Sequence, residues 1–183
     1  NTRSRGLGDV YKRQVKKAIE DEIKALEKLK KAKFALTPEG IARSKSFNKN
    51  KGRLIWPVQR GEITSKYGRH QHHLVTTAFV DNNGVDITTS KNANVRAVFE
   101  GKVTSVLIIP GAGRVVMVSH GEYRTVYANL QEVYVKKGDQ VKAKDKLGKL
   151  LAKESGISES HFEIWRILAS GMSTVNPSFW LSK

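Results

Sequence analysis

The chain has 183 residues, enough for one ordinary domain and an appendage, and it carries a formal net charge of +16. It contains no cysteine, and no apolar run reaches the roughly 18 residues that span a bilayer. Zinc-finger spacing, an aromatic-basic sheet motif and a basic region leading into heptads are also absent from the sequence, so nucleic acid is not an expected partner.

The positive charge is concentrated in residues 1–53, which hold sixteen Lys and Arg residues against six Asp and Glu. Such a stretch suits an anionic polymer such as the cell wall or an anionic membrane, and is equally typical of a solvated helix face. Residues 5–14 resemble a translated sequencing adapter, so we assign residues 1–14 no function and expect the natural chain to continue upstream. The start lacks the apolar core of a signal peptide, and any export signal is expected to lie outside this chain.

Two helices are predicted before residue 54. From Val15 to Phe34 the apolar residues recur at steps of three and four, which indicates an amphipathic helix, and residues 15–36 are interpreted as the end of a coiled coil. Thr37-Pro38-Glu39 is typical of a helix start, with Thr as the N-cap and Pro in the first turn. A short helix over 37–47 and a polar linker to residue 53 follow.

Residues 54–183 are predicted to be mainly β. Runs of β-branched residues with period-two alternation are separated by Gly-rich turns, and Gly138-Asp139 is predicted to join two short strands within 133–141. The fold class is therefore an antiparallel β-sandwich or partly open barrel, preceded by an α-helical arm. The longer strand candidates are residues 95–109, 114–119, 123–129 and 161–166.

Six short motifs of this β region occur in an order that is typical of one family. They are Tyr67-Gly68 with His72, Asn83-Gly84-Val85-Asp86-Ile87, Val95-Arg96-Ala97-Val98 with Gly101-Lys102-Val103, Ser119-His120-Gly121 with 125–130, residues 135–141, and Glu159-Ser160-His161-Phe162-Glu163. Together they resemble the lysostaphin/LytM metallopeptidases over most of residues 54–181. The resemblance implies a zinc site with three protein ligands and two further histidines that handle protons and stabilise the oxyanion.

Three of those five positions differ from the family's pattern. Asn82 stands where the first ligand histidine is expected, and Asn129 and Glu159 stand where the two catalytic histidines are expected. Asp86 and His161 remain as vestigial ligands. Because an amide is a poor zinc ligand and two ligands rarely hold zinc tightly, we expect no zinc cofactor, no metal site and no peptidase activity.

Among degenerate members the chain is similar to the EnvC-type murein hydrolase activators. The similarity is carried by Asn-Asn-Gly-Val-Asp-Ile, Tyr-Ala-Asn-Leu, Phe-Glu-Ile-Trp and the ending Asn-Pro-Ser-Phe-Trp-Leu. It implies a periplasmic, non-catalytic activator that binds a zinc-dependent peptidoglycan amidase during septal splitting. It also implies an FtsEX-type inner-membrane complex as partner of the missing upstream coiled coil, with peptidoglycan as a further contact. The former active-site groove would be lined by Asn82, Asp86, Asn129, Glu159 and His161, with residues 37–47 as the candidate arm that covers it.

Other interpretations stay open at this point. A zinc endopeptidase could use substitute ligands such as His72 with Asp86 and His161, and a passive wall-binding module would need only the basic arm. Asn82-Asn83-Gly84 could be only a turn, and Asp86 and His161 could be only a hydrogen-bonded remnant. Surface or packing roles are expected for the remaining histidines and tryptophans: His70, His72, His73, a turn role for His120, and core or closure roles for Trp56, Trp165 and Trp180.

Overall fold

The computed structural model describes residues 2–30, 37–72, 74 and 77–183. Within this part of the chain two α-helices precede an antiparallel β domain that ends in one turn of 3₁₀ helix. The helices are α1 (Thr2–Lys30) and α2 (Pro38–Lys49). The strands are β1 (Glu62–Ser65), β2 (Gly68–Gln71), β3 (Phe79–Asn82), β4 (Val85–Ser90), β5 (Asn94–Arg96), β6 (Gly101–Ile109), β7 (Gly113–His120), β8 (Tyr123–Val133), β9 (Gln140–Val141), β10 (Lys146–Leu150), β11 (Ile157–Leu168) and β12 (Gly171–Val175), followed by the 3₁₀ turn Pro177–Phe179.

The main sheet has the order β1-β4-β11-β8-β7-β6-β9, with every neighbouring pair antiparallel. β5 and β10 extend it beside β8, β12 pairs with β11, and β2 and β3 form a separate hairpin. β8 and β11 are buried on both faces, because side chains alternate along a strand and each face of this sheet is covered. The antiparallel β fold with an N-terminal helix agrees with the predicted fold class.

Two predicted strand segments are divided differently in the structure. The run 95–109 is broken between β5 and β6, where Ala97 donates its peptide N–H to Asp145 rather than continuing a ladder. The turn at Gly138-Asp139 does not join two mutually paired strands, because residues 134–136 are not in a strand and β9 pairs with β6 instead. Both differences arise from hydrogen-bond partners that are distant in sequence.

One face of the sheet carries the larger hydrophobic core, and α2 belongs to it. Thr37 caps α2 as predicted, its hydroxyl accepting the N–H of Gly40 at 3.0 Å. Phe47, near the end of α2, is fully buried, and its ring lies 4.7 Å from the His120 ring and 5.1 Å from the Trp180 ring. The Ser44 hydroxyl accepts the N–H of Glu122 at 2.8 Å, which joins α2 to the turn between β7 and β8. α2 is thus part of the folded domain.

His120 is a buried core residue and not the simple turn histidine that the sequence predicts. Its Nδ1 lies 2.6 Å from the carbonyl oxygen of Glu100, and its Nε2 lies 2.8 Å from the Thr125 hydroxyl. Burial lowers the pKa of His120 to about 3, so the imidazole is neutral at physiological pH. The neutral ring donates from Nδ1 and accepts at Nε2, which satisfies both nitrogens.

The opposite face of the sheet is covered by α1. Val15 and Ile19, four residues apart on one side of the helix, are fully buried. They pack against an apolar sheet surface of β6, β7, β8 and β11 that consists of Ile109, Val115, Met117, Val126, Ala128, Trp165 and Ile167. The predicted apolar stripe therefore faces this domain along its first half, while Leu29 and Phe34 lie outside the described side chains.

Candidate functional site

Strand register brings the predicted site residues together. β4 pairs with β11 so that Asp86 lies opposite His161, and β8 pairs with β11 so that Ala128 lies opposite the same histidine. Asn129 follows directly on β8. Residues on one face of a strand alternate, so His161, Glu163 and Trp165 of β11 all face the side of the sheet that α1 covers.

His161 lies between two carboxylates. Its Nδ1 is 2.8 Å from Asp86 Oδ1, and its Nε2 is 2.9 Å from Glu163 Oε2. Burial alone would lower its pKa, but the hydrogen bonds and negative charges of Asp86 and Glu163 outweigh burial and raise the pKa of His161 to about 10. The ring is therefore an imidazolium at neutral pH, and both of its nitrogens donate hydrogen bonds.

Asn82 holds Asp86 from the other side. Its amide nitrogen donates to Asp86 Oδ2 and to the Ser65 hydroxyl, each at 3.1 Å, while its Oδ1 accepts the N–H of Gly84 at 3.0 Å. Asn82 thus forms the turn of Asn82-Asn83-Gly84 and also contacts Asp86. Asn82 is 6% exposed and lies behind the carboxylate, not on the surface of the groove.

Asn129 and Glu159 form the outer part of the site. Asn129 adopts a left-handed backbone conformation with φ of 64°, which Asn tolerates better than most residues, and its amide donates to the Glu159 carbonyl at 3.1 Å. The Glu159 carboxylate pairs with Lys153 at 2.9 Å.

A cavity of about 240 Å³, called here the groove, is lined by Gly8, Tyr11, Asp86, Pro110, Gly111, Ala112, Ala128, Asn129, Glu159 and His161. Four of the five predicted site residues therefore line one cavity.

Sequence reasoning missed two residues that contact His161. Glu163 is 1% exposed and accepts the indole N–H of Trp165 at 2.9 Å as well as the imidazolium. The alternation from His161 to Trp165 along one strand was the signal that could have identified it. Tyr11 of α1 packs edge-on against the His161 ring at 5.6 Å, and burial together with Glu163 and Asp86 raises the pKa of Tyr11 well above its usual value.

A buried ion pair joins α1 to the sheet beyond the groove. Arg124 of β8 is 2% exposed on its side chain, and its guanidinium donates to both carboxylate oxygens of Glu22 at 2.6 and 3.2 Å. The same guanidinium donates to the carbonyl of Gly121 at 2.6 Å. Such a two-pronged contact aligns α1 along the sheet as well as attracting it.

The prediction that residues 37–47 cover the groove is wrong. α2 contacts the turn of β7 and β8 and the larger core through Phe47 and Ser44, whereas the groove is lined by residues of α1. The physical reason is that Phe47 finds an aromatic pocket on the opposite face of the sheet. α1 lies beside the groove, and the residues through which it lines the cavity, Gly8 and Tyr11, belong to the stretch interpreted as adapter-derived.

These observations define a class of protein: an antiparallel β domain of the LytM type, with an aspartate–histidine pair on its central strands. The chain belongs to peptidase family M23, whose match extends over residues 80–177, more than half of the chain.

Three comparisons bear on what the chain does. It is 36% identical over 95 residues to the peptidoglycan DD-endopeptidase ShyB of Vibrio cholerae, covering 50% of this chain and 22% of ShyB. It is 31% identical over 118 residues to the cell division protein DipM of Caulobacter vibrioides, covering 62% of this chain and 18% of DipM. A chain of the SpoIIQ–SpoIIIAH pore-forming complex matches with a TM-score of 0.56 and 25% identity, over 73% of this chain and 93% of that one. The chain spans less than a quarter of either curated relative.

The side chains of the groove do not fit the zinc ion that the LytM resemblance implies. Asp86 and His161 supply two of the three protein ligands that the resemblance implies, and in place of the third the Asn82 side chain is an amide that donates to Asp86. His72 accepts the N–H of Leu74 on Nδ1 at 3.1 Å, and His73 lies outside the described residues. Across the described ranges no group of three or more His, Cys, Asp or Glu residues is arranged to hold a metal ion.

Also within the described residues, no helix is both long and apolar enough to cross a membrane. α1 is the longest helix described, and its sequence alternates charged residues with the apolar stripe. That alternation matches a helix packed on one side against protein, as Val15 and Ile19 show.

Proposed function

We propose that the chain is a non-catalytic activator of zinc-dependent peptidoglycan amidases, which bind its groove during cell-wall remodelling and septal splitting. The observation that carries the proposal is the geometry around His161, whose two ring nitrogens lie 2.8 Å from Asp86 and 2.9 Å from Glu163. A groove of this kind keeps its shape and polarity with two of the three implied zinc ligands, Asp86 and His161, and with no histidine at positions 129 and 159. We accordingly propose that the groove binds no zinc and that the chain acts by binding a protein.

The comparisons support the separate parts of this proposal. ShyB acts on peptidoglycan and DipM takes part in cell division, which favours an envelope role and a periplasmic location. The SpoIIQ–SpoIIIAH complex supports the idea that a domain of this fold serves a protein partner. The FtsEX-type complex is proposed as the partner of the upstream coiled coil.

α1 is proposed to be the segment that keeps the groove closed. Burying Val15 and Ile19 contributes about 1.5–3 kcal/mol for each side chain, before the cost of ordering the helix is subtracted. Moving a two-state equilibrium from 1:99 to 99:1 takes about 5.5 kcal/mol, so a partner or a pull on the upstream helix could displace α1. Gly8 and Tyr11, which line the groove, belong to the adapter-like residues 1–14, so the proposal depends on the docking of α1 beside the groove through Val15, Ile19 and Glu22.

The test loosens α1 by point substitution and measures amidase activity. Ile19→Asp places a charge in the apolar contact, and Glu22→Lys places a second cation beside the buried guanidinium of Arg124. Each variant is mixed with a panel of purified periplasmic amidases and dye-labelled peptidoglycan, and both should release more dye than the unaltered chain. Asp21→Lys is the matched control, because Asp21 is an exposed neighbour and the change in charge is the same.

A second substitution locates the binding surface. Glu159→Lys, introduced into the Ile19→Asp variant, reverses the charge of a half-buried groove residue and should abolish stimulation. If folded Ile19→Asp and Glu22→Lys proteins stimulate no amidase of the panel, the activator hypothesis fails. Stimulation that survives Glu159→Lys would place the amidase on another surface.

The second candidate function is a zinc endopeptidase acting on peptidoglycan crossbridges. Retention of both Asp86 and His161 and the 36% identity to ShyB favour it. Metal analysis of zinc-replete protein combined with digestion of peptidoglycan separates the two functions. Stoichiometric zinc with cleaved crossbridge peptides would establish the endopeptidase and remove the basis of the activator proposal.

A further inference from the structure

A second cavity lies away from the groove and has the opposite charge. It encloses about 370 Å³ and is lined by four cationic side chains, Arg60, Arg96, Lys144 and Lys146, together with Gln59, Thr89, Ser90, Ala93 and Asn94. No carboxylate is among these lining residues. The groove, in contrast, is lined by two carboxylates, Asp86 and Glu159, and by one cation, the imidazolium of His161. The two cavities are therefore suited to ligands of different charge.

The four cations of this basic cavity come from three separate segments of the chain. Arg60 lies before β1, Arg96 on β5, and Lys144 and Lys146 at the turn into β10. Lys146 lies opposite Arg96 in the pairing of β10 with β5. Like charges that line one cavity repel one another, and a bound anion would offset that repulsion.

Hydrogen bonds to the main chain position two of these segments. The Arg96 Nε donates to the carbonyl of Trp56 at 3.0 Å, which orients a half-buried guanidinium. The Thr89 hydroxyl donates to the carbonyl of Arg60 at 2.6 Å, which fastens the loop before β1 to β4. Within the described part of the chain, none of the four cations forms an ion pair with a carboxylate. Their charges are thus available to a ligand.

Lys144 has a backbone conformation that favours glycine, and glycine occupies the same position in a similar turn of this chain. Residues 136–139 and 142–145 form two similar turns, in each of which the fourth residue, an aspartate, accepts the N–H of the first at 3.0 and 2.8 Å. The third position has positive φ in both, 98° at Gly138 and 75° at Lys144. Glycine is the residue that this conformation favours, and a lysine there costs free energy. Strain of this kind in a charged cavity points to a role for the lysine side chain.

We propose that the basic cavity binds a multivalent oxyanion, whose phosphate or carboxylate groups are held by Arg96 and Lys144 with Arg60 and Lys146. Guanidinium and ammonium groups donate strong charge-assisted hydrogen bonds to such oxygens. The amides of Gln59 and Asn94 supply further donors at the same cavity. This inference is independent of amidase activation, because it concerns a different cavity and a ligand of opposite charge.

The experiment titrates the full chain with tripolyphosphate and, separately, with citrate, by isothermal titration calorimetry near physiological ionic strength. The two anions distinguish a phosphate ligand from a carboxylate ligand. The test variant combines Lys144→Gly with Lys146→Gln, and the control combines Lys136→Gln with Lys137→Gln in the similar turn. Both remove two positive charges from exposed side chains.

Saturable binding of one or both anions is expected, with affinity lowered about tenfold or more in the test variant. The control should change the affinity less than twofold. Lys144→Gly alone relieves a positive φ, so this single variant should unfold at the same temperature as the unaltered chain or a higher one. Weaker anion binding by the single variant is then not caused by a loss of fold. Absence of saturable binding, or equal weakening in the control pair, would overturn the proposal by showing attraction to overall charge only.

Discussion

Replacing Phe47 with alanine tests whether α2 is part of the domain or a movable arm. Phe47 is fully buried, and its ring lies 4.7 to 5.4 Å from the rings of His120, Tyr123, Trp180 and Phe99. Truncating a buried phenylalanine removes its transfer free energy and leaves a cavity, at a cost of about 3–5 kcal/mol. For a protein of this size, that cost lowers the melting temperature by roughly 2–4 °C per kcal/mol.

The assay is urea unfolding followed by tryptophan fluorescence, since Trp180 lies in direct contact with the substituted ring. Phe179→Ala is the matched control, because Phe179 is 67% exposed and the same atoms are removed. The control should change the free energy of unfolding by no more than about 0.5 kcal/mol. If Phe47→Ala costs as little as Phe179→Ala, α2 does not contribute to the core and residues 37–47 are available to move. The same reasoning predicts that a chain beginning at residue 54 is less stable than one beginning at 37.

Three further predictions concern charges. Glu22→Gln leaves the buried guanidinium of Arg124 without its carboxylate, and hydrogen exchange of α1 should reveal weakening of its docking by about 3 kcal/mol. The pKa of His120 is lowered, so its contribution to stability is present above the unfolded pKa near 6.5 and is lost as the pH decreases below that value. Between pH 6.5 and pH 5 this group should lower the free energy of unfolding by about 2 kcal/mol. The pKa of His161 is raised, so its contribution to stability is complete below about pH 6.5 and is lost as the pH rises toward 10. Glu163→Gln removes one of the two carboxylates and should lower the pKa of His161 in an NMR titration.

Each of these predictions has an outcome that contradicts it. Unchanged exchange in α1 after Glu22→Gln would mean that the ion pair does not hold the helix. His120→Asn should flatten the acid dependence, and a curve of unchanged slope would assign that dependence to other groups. An imidazole of His161 that titrates near 6.5 would exclude the paired imidazolium.

Much of the site could be predicted because its determinants are local or are ordered along the chain. The N-cap at Thr37 is correct, since capping depends on the next three residues only. Asp86, Asn129, Glu159 and His161 line one groove as predicted, because the order of the family motifs specifies which strands carry them. The hydrogen bond between Asp86 and His161 was one of the interpretations left open, and it is present at 2.8 Å.

The sequence by itself determined the elements of this protein: the capped helix α2, the alternating strands, the apolar stripe of α1 and the absence of histidine at three positions of a familiar site. Only the tertiary structure decided which surfaces these elements meet. It places Glu22 against Arg124, 102 residues away, and Phe47 against Trp180 on the opposite face from the groove. The physical reason is that capping and alternation depend on neighbouring residues, whereas burial depends on the shape and charge of distant ones. For that reason residues 37–47 belong to the core of the domain, although the sequence pointed to them as the arm that covers the groove.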